Sequence, residues 1–205
     1  MIGIIDVGIG NQGSIREAIH ALGHDPVPVR SAADLSDLTH LILPGVGAFS
    51  HAVQRLHATA LFAPIQQFAR AGRPLLGICL GMQLLCDVGD EDGPNAGLGL
   101  VPGRVSRLPD QPGLRVPHVG WNDVRFPVPH PLFQGVRPGL DFYFVHSYEF
   151  LPASGAHVIG VTDHGKQVVC AVANANCVGV QFHPEKSQKN GLRILENFCD
   201  WDGLC

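Results

Sequence analysis

Apolar residues in the first half of the chain follow two alternating rhythms. Ile2–Val7 is a short apolar run of strand length. In Ser14–Leu22 the apolar positions Ile15, Ala18, Ile19 and Leu22 recur three and four apart, the spacing of one helix face. Gly23 and Pro26 stop that helix. Val27–Val29 and Leu38–Leu43 read as further strands, the second closed by Pro44-Gly45-Val46-Gly47. His51–Leu56 and Leu61–Ala71 read as helices, and Leu75–Ile78 as the next strand. Strand and helix in alternation predict a parallel, doubly wound sheet.

The texture changes after Asp87. Gly89–Gly99 is rich in Gly, Asp and Asn and predicts a loop. Val101–Leu108, Trp121–Val124, Phe142–His146, Ala156–Val161, Gln167–Ala173 and Val178–Phe182 then read as strands, which predicts antiparallel pairing and hairpins. Gly191–Phe198 has the pattern of a closing helix. The expected fold is therefore α/β: a mostly parallel central sheet flanked by helices, with a smaller antiparallel section in the second half. No repeat or long linker divides the sequence, so residues 1–205 are expected to form one domain.

Composition narrows the function classes. The 205 residues are 45% apolar and 16% charged, enough for a full core and unlike a disordered chain. A net charge of −4 offers no basic footprint for nucleic acid or an anionic membrane. Met1-Ile-Gly-Ile-Ile-Asp6 reads as a strand rather than a signal peptide, and no apolar run approaches the roughly 20 residues of a membrane span. The six cysteines, at 79, 86, 170, 177, 199 and 205, contain no C-x-x-C pair and no zinc spacing. Reduced thiols and a cytoplasmic location are the expectation. Cys86 falls on the apolar stripe of the helix expected to start at Met82–Leu85, Cys170 in a strand, and Cys199 and Cys205 near a terminus expected to fray.

Gly77-Ile78-Cys79-Leu80-Gly81 stands between the Leu75–Ile78 strand and the apolar segment Met82-Gln-Leu-Leu85, which reads as a helix start. Strand, sharp turn and helix with a thiol at the apex is the cysteine form of the nucleophile elbow. A cysteine with an ordinary thiol is largely protonated at neutral pH, so it needs a base or a positive field. His183 follows directly on the apolar run ending at Phe182, at a strand end, and Glu185 lies two residues on. Cys79 as nucleophile, His183 as proton shuttle and Glu185 as orienter follow the logic of a catalytic triad. Pro44-Gly-Val-Gly47, with the Leu80 N–H, supplies backbone donors for an oxyanion, expected at Val46, Gly47 and Leu80. Singly, each of these pieces is common in α/β cores; the combination at strand ends is what points to thiol catalysis.

Gly77-Ile-Cys-Leu-Gly-Met-Gln83 with His183-Pro-Glu185 resembles the class I glutamine amidotransferases, whose fold is flavodoxin-like. More narrowly, the chain is similar to glutaminase subunits of imidazole glycerol phosphate synthase, in histidine biosynthesis. Gly8-Ile-Gly-Asn11-Gln-Gly-Ser14, Pro44–Gly47, Pro117-His-Val-Gly-Trp-Asn122, Tyr143-Phe-Val-His-Ser-Tyr148 and Gln181–Ser187 carry that likeness nearly end to end. The resemblance implies hydrolysis of glutamine through a glutamyl thioester on Cys79, with no metal or cofactor. It places glutamine against Gly47, Gln83, His146, Ser147 and Tyr148. It implies that ammonia passes to a separate (β/α)₈ cyclase subunit in a heterodimer, across Asn11, Trp121, Asn122, Tyr143 and Lys186. The products there would be imidazole glycerol phosphate and an aminoimidazole carboxamide ribotide.

Three alternatives stay open on the sequence alone. A paralogous amidotransferase would feed ammonia to another synthase; a catalytically silent subunit would only stabilise a partner; a thiol hydrolase would use the same triad on another substrate. The intact triad argues against the second, and Gln83 with Tyr143–Tyr148 against the third. The glycines at 45 and 47, together with the behaviour of the family, add the expectation of an oxyanion loop misoriented until the partner's ligand binds.

Overall fold

The two apolar rhythms become a seven-stranded sheet with helices packed on both faces. The computed structural model describes residues 1–110 and 115–204. The first half runs β1 (Ile2–Ile5), α1 (Gln12–Ala21), β2 (Val27–Val29), β3 (His40–Gly45), α2 (Phe49–Ala58), α3 (Phe62–Arg70), β4 (Leu75–Cys79) and α4 (Leu80–Gln83). The second half runs β5 (Val88–Gly89), β6 (Asn95–Ala96), β7 (Gly103–Arg107), β8 (His118–Val124), β9 (Leu140–His146), β10 (Tyr148–Pro152), β11 (Val158–Asp163), β12 (Gln167–Asn174), β13 (Cys177–Val180) and α5 (Gln188–Asp200).

The main sheet has the order β11-β12-β13-β4-β3-β1-β2. β1–β4 and β13 pair in parallel, and β11 and β12 add an antiparallel edge. Strand side chains alternate between the faces. Ile5, Leu41, Leu43 and Leu75 pack with Phe49, Leu56, Ile65 and Phe68 from α2 and α3. Ile4, Ile42, Leu76 and Ile78 pack with Ile15, Ile19, Leu195 and Phe198 from α1 and α5. Burying each such side chain contributes roughly 1.5–3 kcal/mol. A smaller sheet, β10-β7-β5-β6, and the β8–β9 hairpin complete the structure.

Three sequence expectations need correcting. β13 pairs antiparallel with β12 as expected, but its other edge lies beside β4 in parallel register, Val180 opposite Ile78, so it joins the antiparallel section to the parallel sheet. The helix after the elbow is a single turn, because the chain bends at Leu84–Cys86 to bond with the segment at 97–101. Cys86 is therefore not helical but core, and burial pushes its thiol up to about 12. Cys199 lies inside α5 and is buried, not in a fraying end, and burial likewise pushes its thiol up to about 12. Cys170 is a buried strand residue, as its pattern implied. Cys205 lies outside the described residues. Among the described residues, no helix is long and apolar enough to cross a membrane.

The topology fixes where ligands can bind. From β1 the chain steps to β2 on one side, then returns across β1 to β3 on the other. The loops after β1 and β3 thus face each other at a switch point, where α/β sheets open a crevice at their carboxyl ends.

Candidate active site

Cys79 ends β4 with φ 55° and ψ −110°, in the left-handed half of backbone space that a side chain normally avoids. Two glycines make this bend possible. A Cβ at Gly77 would lie 2.5 Å from the Gly81 carbonyl oxygen, and one at Gly81 would lie 1.7 Å from the Leu43 carbonyl oxygen. The elbow therefore folds tightly back on β3, and only glycine fits at its two shoulders. Its apex holds the Cys79 sulfur nearly buried, 3.8 Å from the Val145 carbonyl of β9. α4 begins at Leu80, so the Leu80 N–H has no acceptor within the helix.

His183 reaches the sulfur because β13 lies next to β4. Cys79 and the residues just past Val180 leave neighbouring strands side by side. The His183 backbone N–H donates to the Tyr143 carbonyl at 2.9 Å, which seats the loop against β9. A 3₁₀ turn at Pro184–Lys186 then brings Glu185 back to the imidazole. His183 Nδ1 lies 2.8 Å from Glu185 Oε1, with both side chains buried. The carboxylate accepts, so Nδ1 carries the proton. Nε2 is buried, has no well-aligned hydrogen-bond partner, and faces Cys79. Burial pulls the imidazole down, but the Cys79 sulfur and the Glu185 carboxylate outweigh it and lift His183 to about 9. Such a pair favours an imidazolium beside a sulfur.

Gly45 pairs with Cys79 across β3 and β4, which sets the Val46 peptide beside the elbow. Its N–H does not point into the site: it donates to the Ile9 carbonyl at 2.6 Å, across the switch point. Gly47 follows with φ 97°. Val46 is thus placed at the site but its donor is engaged, while Leu80 keeps its donor available.

Val46, Gly47, Cys79, Leu80, Gln83, His146, Ser147, Tyr148 and His183 line one pocket of about 310 Å³, with Glu91 and Pro117 at its wall. Glu185 stands behind His183. The Gln83 amide nitrogen donates to the Tyr148 carbonyl (3.2 Å) and to Gln181 Oε1 (2.9 Å). Both its hydrogens are spent, so its carbonyl oxygen is what Gln83 offers the pocket. The arrangement supplies a nucleophile, a proton carrier with its orienter, one free backbone donor and a polar wall.

The profile of the family described as glutamine amidotransferase class-I matches residues 3–201. The chain belongs to the class-I glutamine amidotransferases. It is 48% identical over 200 residues to the imidazole glycerol phosphate synthase subunit HisH of Moorella thermoacetica, covering 96% of this chain and 93% of that protein. It is 44% identical over 201 residues to the subunit of the same name from Desulfitobacterium hafniense, covering 98% and 94%. Among solved structures, PurLQS from Thermotoga maritima aligns with a TM-score of 0.75 at 20% identity over 97% of each chain, a likeness of fold.

In this amidotransferase the residues expected at a partner interface divide. Trp121 and Tyr143 pair across the hairpin, edge to face at 6.0 Å, and the Lys186 ammonium sits 5.8 Å from the Tyr143 ring. With Val119 and Val145 on the same hairpin face, they form an exposed apolar patch, Trp121 itself 49% exposed. Asn11 is exposed as well, its amide donating to Ser14 at 2.9 Å. Asn122 does not join them. It lies on the opposite side of β8, where its amide reaches His118 Nε2 (3.2 Å) and the Asp163 carbonyl (2.7 Å).

Sequence reasoning missed Gln181, Ser187 and His118. Gln181 is fully buried beside Cys79. Ser187 Oγ donates to the His183 carbonyl (2.6 Å) and accepts from the Tyr143 N–H (3.0 Å), so it pins the histidine loop. His118 bonds His146 at 2.9 Å. For Gln181 and His118 the signal was a polar residue beside apolar strand positions, which when buried must find partners; Ser187, in a polar turn, gave none.

Proposed function

We propose that this amidotransferase is the glutaminase subunit of an imidazole glycerol phosphate synthase. The observation that carries the chemistry is the seating of Cys79 and His183 at adjacent parallel strand ends, with Glu185 2.8 Å behind the imidazole. Cys79, its proton already passed to His183 Nε2, attacks the side-chain carbonyl of glutamine as a thiolate. The oxyanion that develops meets the Leu80 N–H and, after the loop after β3 turns, the Val46 or Gly47 N–H. His183 then gives the proton to the departing nitrogen, releasing ammonia and leaving a glutamyl thioester. Water deprotonated by His183 cleaves the thioester to glutamate. The Gln83 oxygen, left free by its two donated hydrogens, accepts from the α-ammonium of glutamine.

The two relatives named above support the placement in histidine biosynthesis, and the apolar hairpin face supports a docked partner. That partner is a (β/α)₈ cyclase subunit, the second half of a heterodimer, which takes up the ammonia. It converts a phosphorylated ribulosyl-formimino intermediate to imidazole glycerol phosphate and an aminoimidazole carboxamide ribotide. The face it covers is built on Val119, Trp121, Tyr143 and Val145, with Lys186 at its edge. A coupled assay with the cyclase tests this: glutamine should support product formation, and Cys79→Ala should abolish it while added ammonia restores it. Glutamine-driven product from Cys79→Ala would overturn the reading.

A further inference from the structure

Gln181 has no assigned role, yet it is fully buried and 3.6 Å from the nucleophile: its side-chain nitrogen faces the Cys79 sulfur. A buried amide is costly unless its donors and acceptors are met. Its orientation here follows from its neighbours. The Tyr148 carbonyl can only accept, so the Gln83 atom 3.2 Å from it is the nitrogen. That nitrogen gives its second hydrogen to Gln181, 2.9 Å away, so Gln181 presents oxygen to Gln83 and nitrogen to the sulfur.

The same logic runs outward from Tyr148. His146 Nδ1 is 2.8 Å from that carbonyl and must donate to it. His146 Nε2 is then an acceptor when neutral, and it receives the Nδ1–H of His118 at 2.9 Å. His118 Nε2 in turn accepts from the Asn122 amide. Burial keeps both rings neutral, holding His118 down at about 3 and His146 at about 4, so the donor assignment is stable around neutrality. The titratable groups that share the pocket with the sulfur are His183, with Glu185 behind it, His146, Tyr148 and Glu91.

We propose that Gln181 is a fixed side-chain donor to the Cys79 sulfur, held in that orientation by the Gln83, Tyr148, His146, His118 and Asn122 hydrogen bonds. The inference rests on Cys79 being the nucleophile. Sulfur becomes anionic when its proton moves to His183, and again when water expels it from the thioester. A donor already aimed at it stabilises that charge at both steps without reorganisation. Hydrogen bonds to charged groups are the stronger kind, so losing this one should matter more than losing a neutral pair.

The test uses the full chain and Gln181→Met, which keeps the length of the side chain and removes the donor. Iodoacetamide alkylation of Cys79, followed by peptide mass spectrometry across pH, should be about tenfold slower in the variant near neutrality. The deficit should close at high pH, where the thiol ionises without help; a packing role would leave no such pH signature. A folded variant with the parent's rate and profile overturns the proposal. If Gln181→Met does not fold, the parent decides: the Gln181 side-chain amide, assigned through bonds by NMR, should shift as Cys79 titrates and should not do so in Cys79→Ala. A pH-independent amide overturns it. Full glutaminase activity in Cys79→Ala would instead sink the underlying nucleophile assignment, a separate result.

Discussion

The Val46 N–H points at the Ile9 carbonyl, 2.6 Å away, rather than at the space above the Cys79 sulfur. Two loops at the sheet's switch point thus hold out of use a backbone donor proposed to serve the oxyanion. One such donor is worth on the order of 10²–10³ in rate. The chain alone should therefore hydrolyse glutamine at least about 100-fold more slowly than the complex with cyclase and its ligand. Equal rates for the free and complexed chain would show that the Ile9 contact restrains nothing.

The Cys79 sulfur and the Glu185 carboxylate together set the charge of His183. With the imidazole lifted to about 9 in the folded chain and near its ordinary roughly 6.5 when unfolded, the folded state binds the extra proton. Its contribution to stability is complete below about pH 6.5 and is lost as pH rises through about 9. In Glu185→Gln this alkaline loss should shrink, and turnover should fall on the order of 10³–10⁴-fold. Denaturant midpoints measured from pH 6 to 10 check the first part; parallel curves for parent and variant would refute it.

His118 and His146 act with the opposite sign. Burial holds them at about 3 and about 4, so below roughly pH 6.5 the unfolded chain takes up protons that the folded chain refuses. Stability should be full above that pH and decline as pH falls towards 4. His118→Phe leaves the buried His146 Nε2 without its donor and should cost about 1–3 kcal/mol at neutral pH. Urea unfolding measures it, and an unchanged midpoint would mean that the two rings are not coupled.

Trp121 stands on the exposed hairpin face and supports no core. Trp121→Ala should leave thermal unfolding of the free chain within about 0.5 kcal/mol of the parent. It should weaken cyclase binding by about 2 kcal/mol or more, as large aromatic anchors do. Calorimetric titration decides; an unaltered affinity would place the docking face elsewhere.

How much of this was legible depends on where the information lies. The Cys79 elbow is local, since the glycines, the strand and the sharp turn occupy consecutive positions. The meeting of Cys79 with His183 is not local. It depends on β13 returning to β4, although the surrounding strands predicted antiparallel pairing. The length of α4 was misjudged because Leu84, Leu85 and Cys86 are apolar whether helical or bent into a core turn. Asn122 was expected at the interface, with Trp121, from the family likeness alone. In a strand, neighbours face opposite sides, and the amide turns inward to His118. Gln181 escaped notice because nothing in a sequence shows which atom a buried amide will meet.

The central claim is that Cys79 carries the glutamyl group. A glutamine analogue with an electrophilic ketone in place of its side-chain amide, offered to the complex with the cyclase and its ligand, tests it most directly. Mass spectrometry should find one adduct on the Cys79 peptide, blocked by excess glutamine and accompanied by loss of glutamine hydrolysis. An adduct confined to another residue, or full hydrolysis after Cys79 is occupied, would contradict the account.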